Sequence, residues 1–269
     1  MSAVPPGPPI QIGCSGWEYP EWVGPFYPRG TRSDHLRTYA ASFPIVEINT
    51  SFYQIPSPRV VGTWARRTPR GFGFTAKLPQ EITHVRRLEH IEEPLARFLE
   101  AMAPLRMAEK LRALLVQLPP SLPFDAPKVR DFYERLPEDV PVAVEFREPG
   151  WRDPASWDLL REFGFASTIV DEPLLPVDLT RTAPWVYVRW HGHGQPVWYD
   201  YRYSRAELQA WVPRIRGVVE GGTKALGFFN NHFRGDAPRN AREFQDLLGL
   251  LPPPWTPRLD REGPPSSPP

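Results

Sequence analysis

The chain has 269 residues, a hydrophobic fraction of 41% and a formal net charge of +1, which together indicate a globular protein with a sizeable core. This near-neutral balance excludes a global electrostatic attraction to nucleic acid or membrane, and the single cysteine, Cys14, excludes an intrachain disulfide framework. The opening VPPGPP lacks the apolar run of a signal peptide, and no apolar run of about 18 residues follows. We therefore expect a cytoplasmic protein with no membrane partner.

Prolines are frequent, 36 in all, and they cluster at both ends of the chain. A packed strand or helix cannot be sustained in VPPGPP or in LPPPWTPRLDREGPPSSPP. Residues 1–9 are therefore predicted to form a proline-rich extension and residues 253–269 a proline-rich tail, which leaves residues 10–252 for a single folded domain.

Between those ends, short β-branched or aromatic runs alternate with amphipathic helical stretches. The predicted strands are IQIGCS (10–15), IVEIN (45–49), FGFTAK (72–77), ALLVQL (113–118), PVAVEF (141–146), ASTIVD (166–171), WVYVRWH (185–191) and KALGFFNN (224–231). The predicted helices are SDHLRTYAASF, PRVVGTWARR, EPLARFLEAM, APKVRDFYERL, PASWDLLREFG, SRAELQAWVPRIRGVV and APRNAREFQDLL. The sixth connection, EPLLPVDLTRTAP, lacks a helical period. Eight such units favour a single-domain (β/α)₈ TIM barrel with eight parallel strands over an open doubly wound sheet, and no GxGxxG or GxxxxGK[ST] loop follows a strand.

Polar side chains gather at the predicted carboxyl ends of these strands, where barrel enzymes place their sites. Alternate residues of a barrel strand point toward the axis. The polar residues predicted to face the axis are Glu47, Asn49, Lys77, Gln117, Glu145, Arg147, Asp171, Arg189, His191, Asn230 and His232. Asn231, next in the motif GFFNNH, is added as a substrate-binding candidate.

The residue types at this face suggest roles. Lys77, Arg147 and Arg189 are predicted to hold an anion, and the amides are predicted to bind substrate. The residues predicted to act in acid–base catalysis or proton transfer are Glu47, Glu145, Asp171, His191 and His232. A divalent metal on Glu145, Asp171 and His191 is possible but not favoured, because three cations already neutralise the carboxylates and no HExxH-like spacing occurs. No metal ligand is therefore assigned, and an internal ion-pair layer without chemistry stays open.

Eight motifs also resemble those of a known family, in order and across about residues 10–250. They are IGCSGWEYPEW, FYPRG, VEINTSFYQIP, FTAKLP with ITH, LLVQLPP, VEFREPGW, VRWHG and FFNNHFRGDAPRNA, and they are similar to motifs of the DUF72 (YecE-like) family. The resemblance implies a TIM barrel and carries no established activity. Fold-level similarity to sugar isomerase-like and endonuclease IV-like barrels suggests an isomerase or a hydrolase.

The loops after the strands add further candidates. Trp17, Tyr53 and Trp151 are predicted to form an aromatic rim that stacks sugars or bases, although packing under loops is the open alternative. HGHGQP and HFRGDAPRNA, after strands seven and eight, are predicted to offer backbone N–H groups to a phosphate, with Asp236 capping the last helix. Arg66, Arg67, Arg70, Arg86 and Arg87 are candidates for a second basic patch that contacts phosphate beside the mouth, and a solvated surface is the equally open alternative.

The functional hypothesis is an enzyme that acts on a phosphorylated or polyanionic substrate, a sugar phosphate or a nucleic acid, with Arg189 as the principal anchor. One alternative is a glycoside-processing enzyme that uses Glu47 and Glu145 as its carboxylate pair. Direct pairing of both carboxylates to arginine would count against that alternative. A second is a non-catalytic protein that binds nucleic acid or another anion at the same face. The sequence leaves the cofactor and the oligomeric state open.

Overall fold

The strands of the computed structural model, which describes residues 4–30 and 34–253, close into one barrel. They pair in parallel and in sequence order, and the eighth pairs with the first. Their bounds are β1 Ile10–Ser15, β2 Ile45–Ile48, β3 Gly73–Lys77, β4 Leu111–Gln117, β5 Val142–Glu145, β6 Ala166–Asp171, β7 Trp185–Trp190 and β8 Lys224–Phe229. The predicted (β/α)₈ barrel of eight parallel strands is confirmed.

Each predicted helical segment contains an α-helix. The helices are α1 His35–Ser42, α2 Pro58–Arg67, α3 Glu92–Met107, α4 Ala126–Glu134, α5 Pro154–Phe163, α6 Arg205–Val218 and α7 Asp236–Leu248. The connection between β6 and β7, residues 172–184, has no helix, as its missing period predicted. Within residues 4–30 and 34–253, no helix is both long and apolar enough to cross a membrane.

Local side-chain chemistry explains where several helices begin. At α6, the Ser204 hydroxyl accepts a hydrogen bond from the Glu207 backbone N–H at 3.3 Å, and the Glu207 carboxylate accepts one from the Ser204 N–H at 2.8 Å. This reciprocal pair satisfies two N–H groups that the first turn leaves without a helical partner. Asp125 and Asp153 cap α4 and α5 with a side-chain oxygen that accepts a hydrogen bond from a backbone N–H of the first turn.

Side-chain hydrogen bonds attach the described part of the N-terminal extension to the barrel. In the described part of the N-terminal extension, the Pro5 carbonyl accepts a hydrogen bond from Lys224 Nζ at 2.9 Å, and the Pro6 carbonyl accepts one from Gln11 Nε2 at 3.1 Å. These two bonds hold the extension against β1 and β8. The predicted tail beyond residue 253 lies outside the described residues.

The barrel interior divides into an apolar lower part and a polar upper part. Its apolar members are Ile45, Ala113, Leu115, Ala143, Ala166, Trp185, Tyr187, Leu226 and Phe228. A separate apolar cluster lies between the outer face of the sheet and the helices. Because side chains alternate along each strand, the next inward positions after the apolar part fall at the carboxyl ends and carry the polar residues. The fold therefore assembles a polar layer on an apolar base.

Gly13 in β1 tests how tightly the interior is closed. A methyl group there would lie 2.0 Å from the Ile45 carbonyl oxygen and 2.9 Å from Tyr39 Oη. We expect Gly13→Ala to lower the free energy of unfolding by about 3 kcal/mol, because backbone of β2 must move. Gly217→Ala in α6 meets open space and should raise stability by about 0.5–1 kcal/mol. Urea denaturation measures both, and equal effects would contradict the close approach of β1 to β2.

Candidate functional site at the carboxyl ends of the strands

A cavity of about 630 Å³ opens at the carboxyl ends of the strands. Its size is in the range of sites for small molecules and cofactors. Eight residues of the predicted polar set line it: Asn49, Lys77, Gln117, Arg147, Arg189, His191, Asn230 and His232. Glu47 and Glu145 also face the barrel axis, but they lie beneath this lining.

The floor of the cavity is an ion-pair layer centred on Arg189. Its Nη2 donates to Glu47 Oε1 at 2.7 Å and its Nη1 donates to Glu145 Oε2 at 2.8 Å. Glu47 also accepts hydrogen bonds from the Ser15 hydroxyl at 2.6 Å and from the Tyr187 hydroxyl at 2.7 Å. All of these side chains are buried, with Glu47 and Glu145 0% exposed and Arg189 1% exposed. The layer therefore joins β1, β2, β5 and β7 through the barrel axis.

Arg147 extends this layer toward the cavity. Its Nε donates to Glu145 Oε1 at 2.7 Å, its Nη1 donates to Glu172 Oε2 at 2.8 Å, and its Nη2 donates to His191 Nε2 at 2.8 Å. Positive and negative groups thus alternate from Glu47 through Arg189, Glu145 and Arg147 to Glu172. Each buried charge of this ion-pair layer has a partner, which is the condition for keeping ionised groups in a barrel interior.

This pairing determines the protonation of Glu145. Burial alone would raise the pKa of Glu145, but Arg147 and Arg189 hold that pKa well below its ordinary value. A carboxylate so strongly ionised cannot serve as a general acid near neutral pH. Glu47 and Glu145 share one arginine and are both covered by it, so the arrangement argues against their predicted acid–base roles. It argues equally against the glycosidase alternative, which needs two carboxyl groups facing a sugar.

The same hydrogen bonds change the interpretation of Arg189. Both of its terminal nitrogens are engaged by carboxylates, so its guanidinium has no free fork to offer a phosphate. Glu145 and Glu47 also raise its pKa, against the effect of burial, and keep it charged. Arg189 faces the axis as predicted, but its contacts make it a bridge between two carboxylates and not the principal anchor for an anion.

His191 is held neutral and in one tautomer. Burial and the two nearby arginines, Arg147 and Arg189, lower its pKa to about 3. Because Arg147 Nη2 can only donate, His191 Nε2 is an acceptor and the ring proton is on Nδ1. Nδ1 lies 2.9 Å from the side-chain amide of Asn230, whose oxygen accepts the proton when the amide is oriented accordingly. His191 thus positions Arg147 and Asn230, and its engaged nitrogens argue against the predicted proton shuttle.

Lys77 differs from Arg147 and Arg189 because no carboxylate of the described residues is paired with it. In the part of the chain that the structure describes, no carboxylate lies within 4 Å of its Nζ, which lies 3.7 Å from the centroid of the Phe52 ring. Burial, followed by the charge of Arg189, lowers the pKa of Lys77 to about 7. The amine therefore faces the cavity as a mixture of its charged and neutral forms at neutral pH.

Asp171 was predicted to face the axis, and this prediction is wrong. In β6, Asp171 pairs laterally with Trp190 of β7, and Trp190 packs outward against Trp211 of α6. The Asp171 carboxylate accepts from Trp211 Nε1 at 3.0 Å and lies 2.9 Å from His193 Nε2. Alternation therefore turns Asp171 toward the helices and leaves the next residue, Glu172, to enter the site.

Asn231 is a second error of the same kind. Its Nδ2 donates to the Tyr201 carbonyl at 2.8 Å and to Asn240 Oδ1 at 2.8 Å, on the side of α7. Since Asn230 and His232 line the cavity, the residue between them must face outward. Asn231 holds a loop and a helix together and does not reach the cavity.

The possible metal set is not brought together. Glu145 and His191 lie inside the barrel, whereas Asp171 lies outside it against α6. Within residues 4–30 and 34–253, no group of three or more histidine, cysteine, aspartate or glutamate side chains is arranged to hold a metal ion.

Only one member of the predicted aromatic rim borders the cavity. Tyr53 is 71% exposed at the mouth. Trp17 instead packs edge-on against Trp64 of α2, with ring centroids 5.1 Å apart. Trp151 donates to the Leu122 carbonyl at 2.7 Å and stacks on Phe146. Trp17 and Trp151 are buried under loops, which was the alternative interpretation of these aromatic residues.

In the predicted phosphate site in the loops after β7 and β8, the two glycine N–H groups of the β7 loop are already engaged. The Gly192 N–H donates to Tyr203 Oη at 2.9 Å and the Gly194 N–H donates to the Trp198 carbonyl at 3.0 Å. The predicted cap by Asp236 is not formed: Asp236 is the first residue of α7, and within the described part of the chain no side-chain hydrogen bond caps this helix. Its largely buried carboxylate at that position opposes an incoming anion.

The second basic patch is divided between the two ends of the barrel. Arg66 and Arg67 end α2, which descends toward the amino-terminal ends of the strands, while Arg86 and Arg87 follow β3 on the cavity side. At the amino-terminal end, a hollow of about 880 Å³ is lined by Arg70 and other arginines. The five arginines therefore do not form one surface.

Several residues of the site were missed by the sequence interpretation. Ser15, Gln80, His84, Glu172 and Tyr199 contact the ion-pair layer or line the cavity. Ser15 and Glu172 follow from alternation once the inward residues of β1 and β6 are fixed, since Gly13 and Val170 precede them by two. His84 lies in a short π-helix, Glu81–Val85, and Gln80 directly precedes it. No periodicity in the sequence predicts this helix.

Comparison with known proteins identifies the family. The family model "Protein of unknown function DUF72" matches residues 11–261. The chain belongs to the DUF72 family. It is 29% identical to the UPF0759 protein YunF of Bacillus subtilis over 90% of this chain and 95% of YunF. It is 36% identical to the UPF0759 protein YecE of Escherichia coli over 52% of this chain and 49% of YecE.

Solved structures of other members of the DUF72 family have the same fold. A protein of Thermotoga maritima, 30% identical, superimposes with a TM-score of 0.78 over 89% of this chain and 99% of that chain. A protein of Enterococcus faecalis, 26% identical, gives a TM-score of 0.79 over 90% of this chain and 96% of that chain. The resemblance expected from the eight sequence motifs is confirmed.

Removing Arg189 tests the ion-pair layer. We expect Arg189→Met to lower the free energy of unfolding by about 3–5 kcal/mol, because two buried carboxylates lose their shared partner. Arg130→Met is the matched control: the Arg130–Glu162 pair is exposed, and solvent screens it, so stability should hardly change. Guanidinium denaturation measures both variants. Equal stability of Arg189→Met and the wild type would contradict the layer as described.

Proposed function

We propose that this protein is an enzyme whose substrate is a small anionic molecule, phosphorylated or carboxylated, bound in the cavity at the carboxyl ends of the strands. The observation that carries this proposal is Lys77, a buried cation that borders the cavity without a carboxylate partner in the described residues. A buried charge normally has a counter-ion, because desolvation is costly. A substrate anion supplies that counter-ion.

The surroundings of Lys77 support a recognition site. Asn49 Oδ1 is buried without a hydrogen-bond partner among the described residues, and Asn49 borders the same cavity. His232 Nδ1 lies 3.1 Å from the Asn230 carbonyl, which can only accept, so the neutral ring has its proton on Nδ1 and a lone pair on Nε2. An unpaired amide oxygen and an imidazole lone pair are groups that hydroxyls of a substrate satisfy.

Size and exposed groups favour a small molecule over a nucleic acid. The cavity of about 630 Å³ matches a sugar phosphate or an organic acid. At its mouth stand Tyr53, 71% exposed, and Leu174, 68% exposed, and both are uncharged. A polyanion would require a row of exposed cations along its path. The formal net charge of +1 supplies no such excess.

The pKa of Lys77 predicts how anion binding depends on pH. Several charged or titratable groups surround its amine: Arg189, Glu145, Glu47, Arg147 and His84. Because the pKa of Lys77 is about 7, its amine in the empty site is charged below that pH and loses this charge above it. Sulfate, which does not titrate in this range, should bind about tenfold more weakly at pH 8 than at pH 6, as followed by calorimetric titration.

Two variants make this titration specific. Lys77→Arg retains the charge at all these pH values, so the affinity for sulfate should lose its dependence on pH. Lys77→Met should abolish binding, while Lys128→Met, which removes a surface lysine paired with Glu89, should bind as the wild type does. A short oligonucleotide is titrated in parallel. Sulfate binding by Lys77→Met equal to that of the wild type, or binding of the oligonucleotide alone, would overturn the proposal.

A further inference from the structure

We propose that Lys77 is a nucleophile that condenses with a carbonyl group of the substrate to form an imine. This inference rests on the proposed function, because it adds a carbonyl group to the small anionic molecule bound in the cavity. The substrate class is then a 2-oxo acid or a phosphorylated aldehyde or ketone, in which the anionic group and the carbonyl carbon lie a few atoms apart.

The four lysines of the chain differ in what their amines contact. Lys110 Nζ donates to the carbonyls of Ala65 and Thr68, both at 2.6 Å. Lys224 Nζ donates to the Pro5 carbonyl, and Lys128 pairs with a carboxylate on the surface. All four lysines lie in the described residues, and Lys77 is the one without a hydrogen-bond acceptor. Its lone pair is therefore free to attack once the amine is neutral.

The surroundings of Lys77 favour the neutral amine that attack requires. Burial disfavours the ammonium form, and Arg189 and Arg147 repel an additional positive charge, against the attraction of Glu145 and Glu47. A desolvated lysine beside other cations is a general arrangement for an amine nucleophile. Lys110 is also buried, yet its three hydrogen bonds occupy the nitrogen and fix it in a structural position. Burial alone therefore does not distinguish the two lysines. They differ because Lys77 Nζ makes no hydrogen bond in the described residues and borders the cavity.

The Phe52 ring limits where the carbonyl group can approach. Lys77 Nζ lies 3.7 Å from the ring centroid, so one side of the amine is covered by an apolar face. Lys77 and Phe52 line the cavity together with Asn49 and Gln117, so the carbonyl group must approach the amine from a side that the ring leaves open. An iminium ion formed there keeps the same cation–π contact that the ammonium makes. The ring thus stabilises the charge before and after condensation.

The chemistry balances without any cofactor. The neutral amine of Lys77 attacks the carbonyl carbon, a C–N bond forms, and one N–H proton moves to the oxygen to give a carbinolamine. The C–O bond then breaks, and the oxygen leaves as water with the second N–H proton. The product is an imine, which takes a proton from solvent to become an iminium ion. Ring nitrogens with a free lone pair, such as His232 Nε2, are suited to relay these protons.

Reductive trapping tests the inference directly. The full chain is incubated at pH 7.5 with pyruvate, with glycolaldehyde phosphate or with uncharged acetaldehyde, and sodium borohydride is added to convert an imine into a stable secondary amine. Peptide mapping by mass spectrometry then locates the label. We expect Lys77 to be labelled by the two anionic carbonyl compounds at least about tenfold faster than Lys128, which is the partly exposed, ion-paired surface reference within the same molecule.

Variants and a binding measurement separate the possible results. Lys77→Met and Lys77→Arg should lose the fast label, with circular dichroism confirming that they are folded, and Lys128→Arg should retain it. Fast labelling of Lys77 by the anionic compounds supports the inference. Pyruvate that binds by calorimetry but leaves Lys77 unlabelled overturns the imine and leaves the proposed anion site intact. Labelling of Lys77 by acetaldehyde at the same rate overturns the anionic substrate class, and labelling of all lysines alike overturns the inference.

Discussion

The interaction on which the site depends is the double pairing of Arg189 with Glu47 and Glu145. It joins three strands across the barrel axis at the level where the apolar interior ends. Taking three charged groups out of water is costly, and an apolar layer of similar volume would be at least as stable. The fold therefore gains no obvious stability from this layer. What the layer does provide is a fixed charge distribution beneath the cavity, and this adds to burial in lowering the pKa of Lys77 and of His191.

The charge distribution explains why neighbouring basic groups differ so widely. Arg147 and Arg189 remain charged because each donates to two carboxylates. His191 lies against the same arginines and stays neutral, with its pKa lowered to about 3 by burial and by those charges. The charges of both arginines lower the pKa of Lys77, in addition to burial, but Lys77 is not paired with the carboxylates that they bind. One network thus produces two permanent cations, one neutral imidazole and one amine that is divided between two states.

The sequence predicted the fold well and the site only partly, for physical reasons. Alternating strand and helix patterns report burial directly, so all eight strands were placed, and Glu47, Arg189 and Asn230 were correctly directed inward. Asp171 and Asn231 were misplaced because polarity at a strand end was given more weight than the two-residue period. Trp17 and Trp151 look the same in sequence whether they border a cavity or cover a helix. The pairing of Arg189 depends on contacts between strands over 40 residues apart, and no local pattern encodes it.

The contacts of the site also restrict the kind of chemistry it can perform. Hydrolysis by a carboxylate pair needs two acids that reach the substrate, whereas Glu47 and Glu145 are paired with Arg189 and lie beneath the lining of the cavity. Besides Arg147, Arg189 and Glu172 of the ion-pair network, the polar residues that line the cavity are an amine, amides and imidazoles, which bind and activate carbonyl compounds and transfer single protons. An amine held partly neutral beside two permanent cations is better suited to carbon–nitrogen bond formation than to electrostatic binding alone. The buried layer, through the charge of Arg189, then adds to burial in lowering the pKa of Lys77.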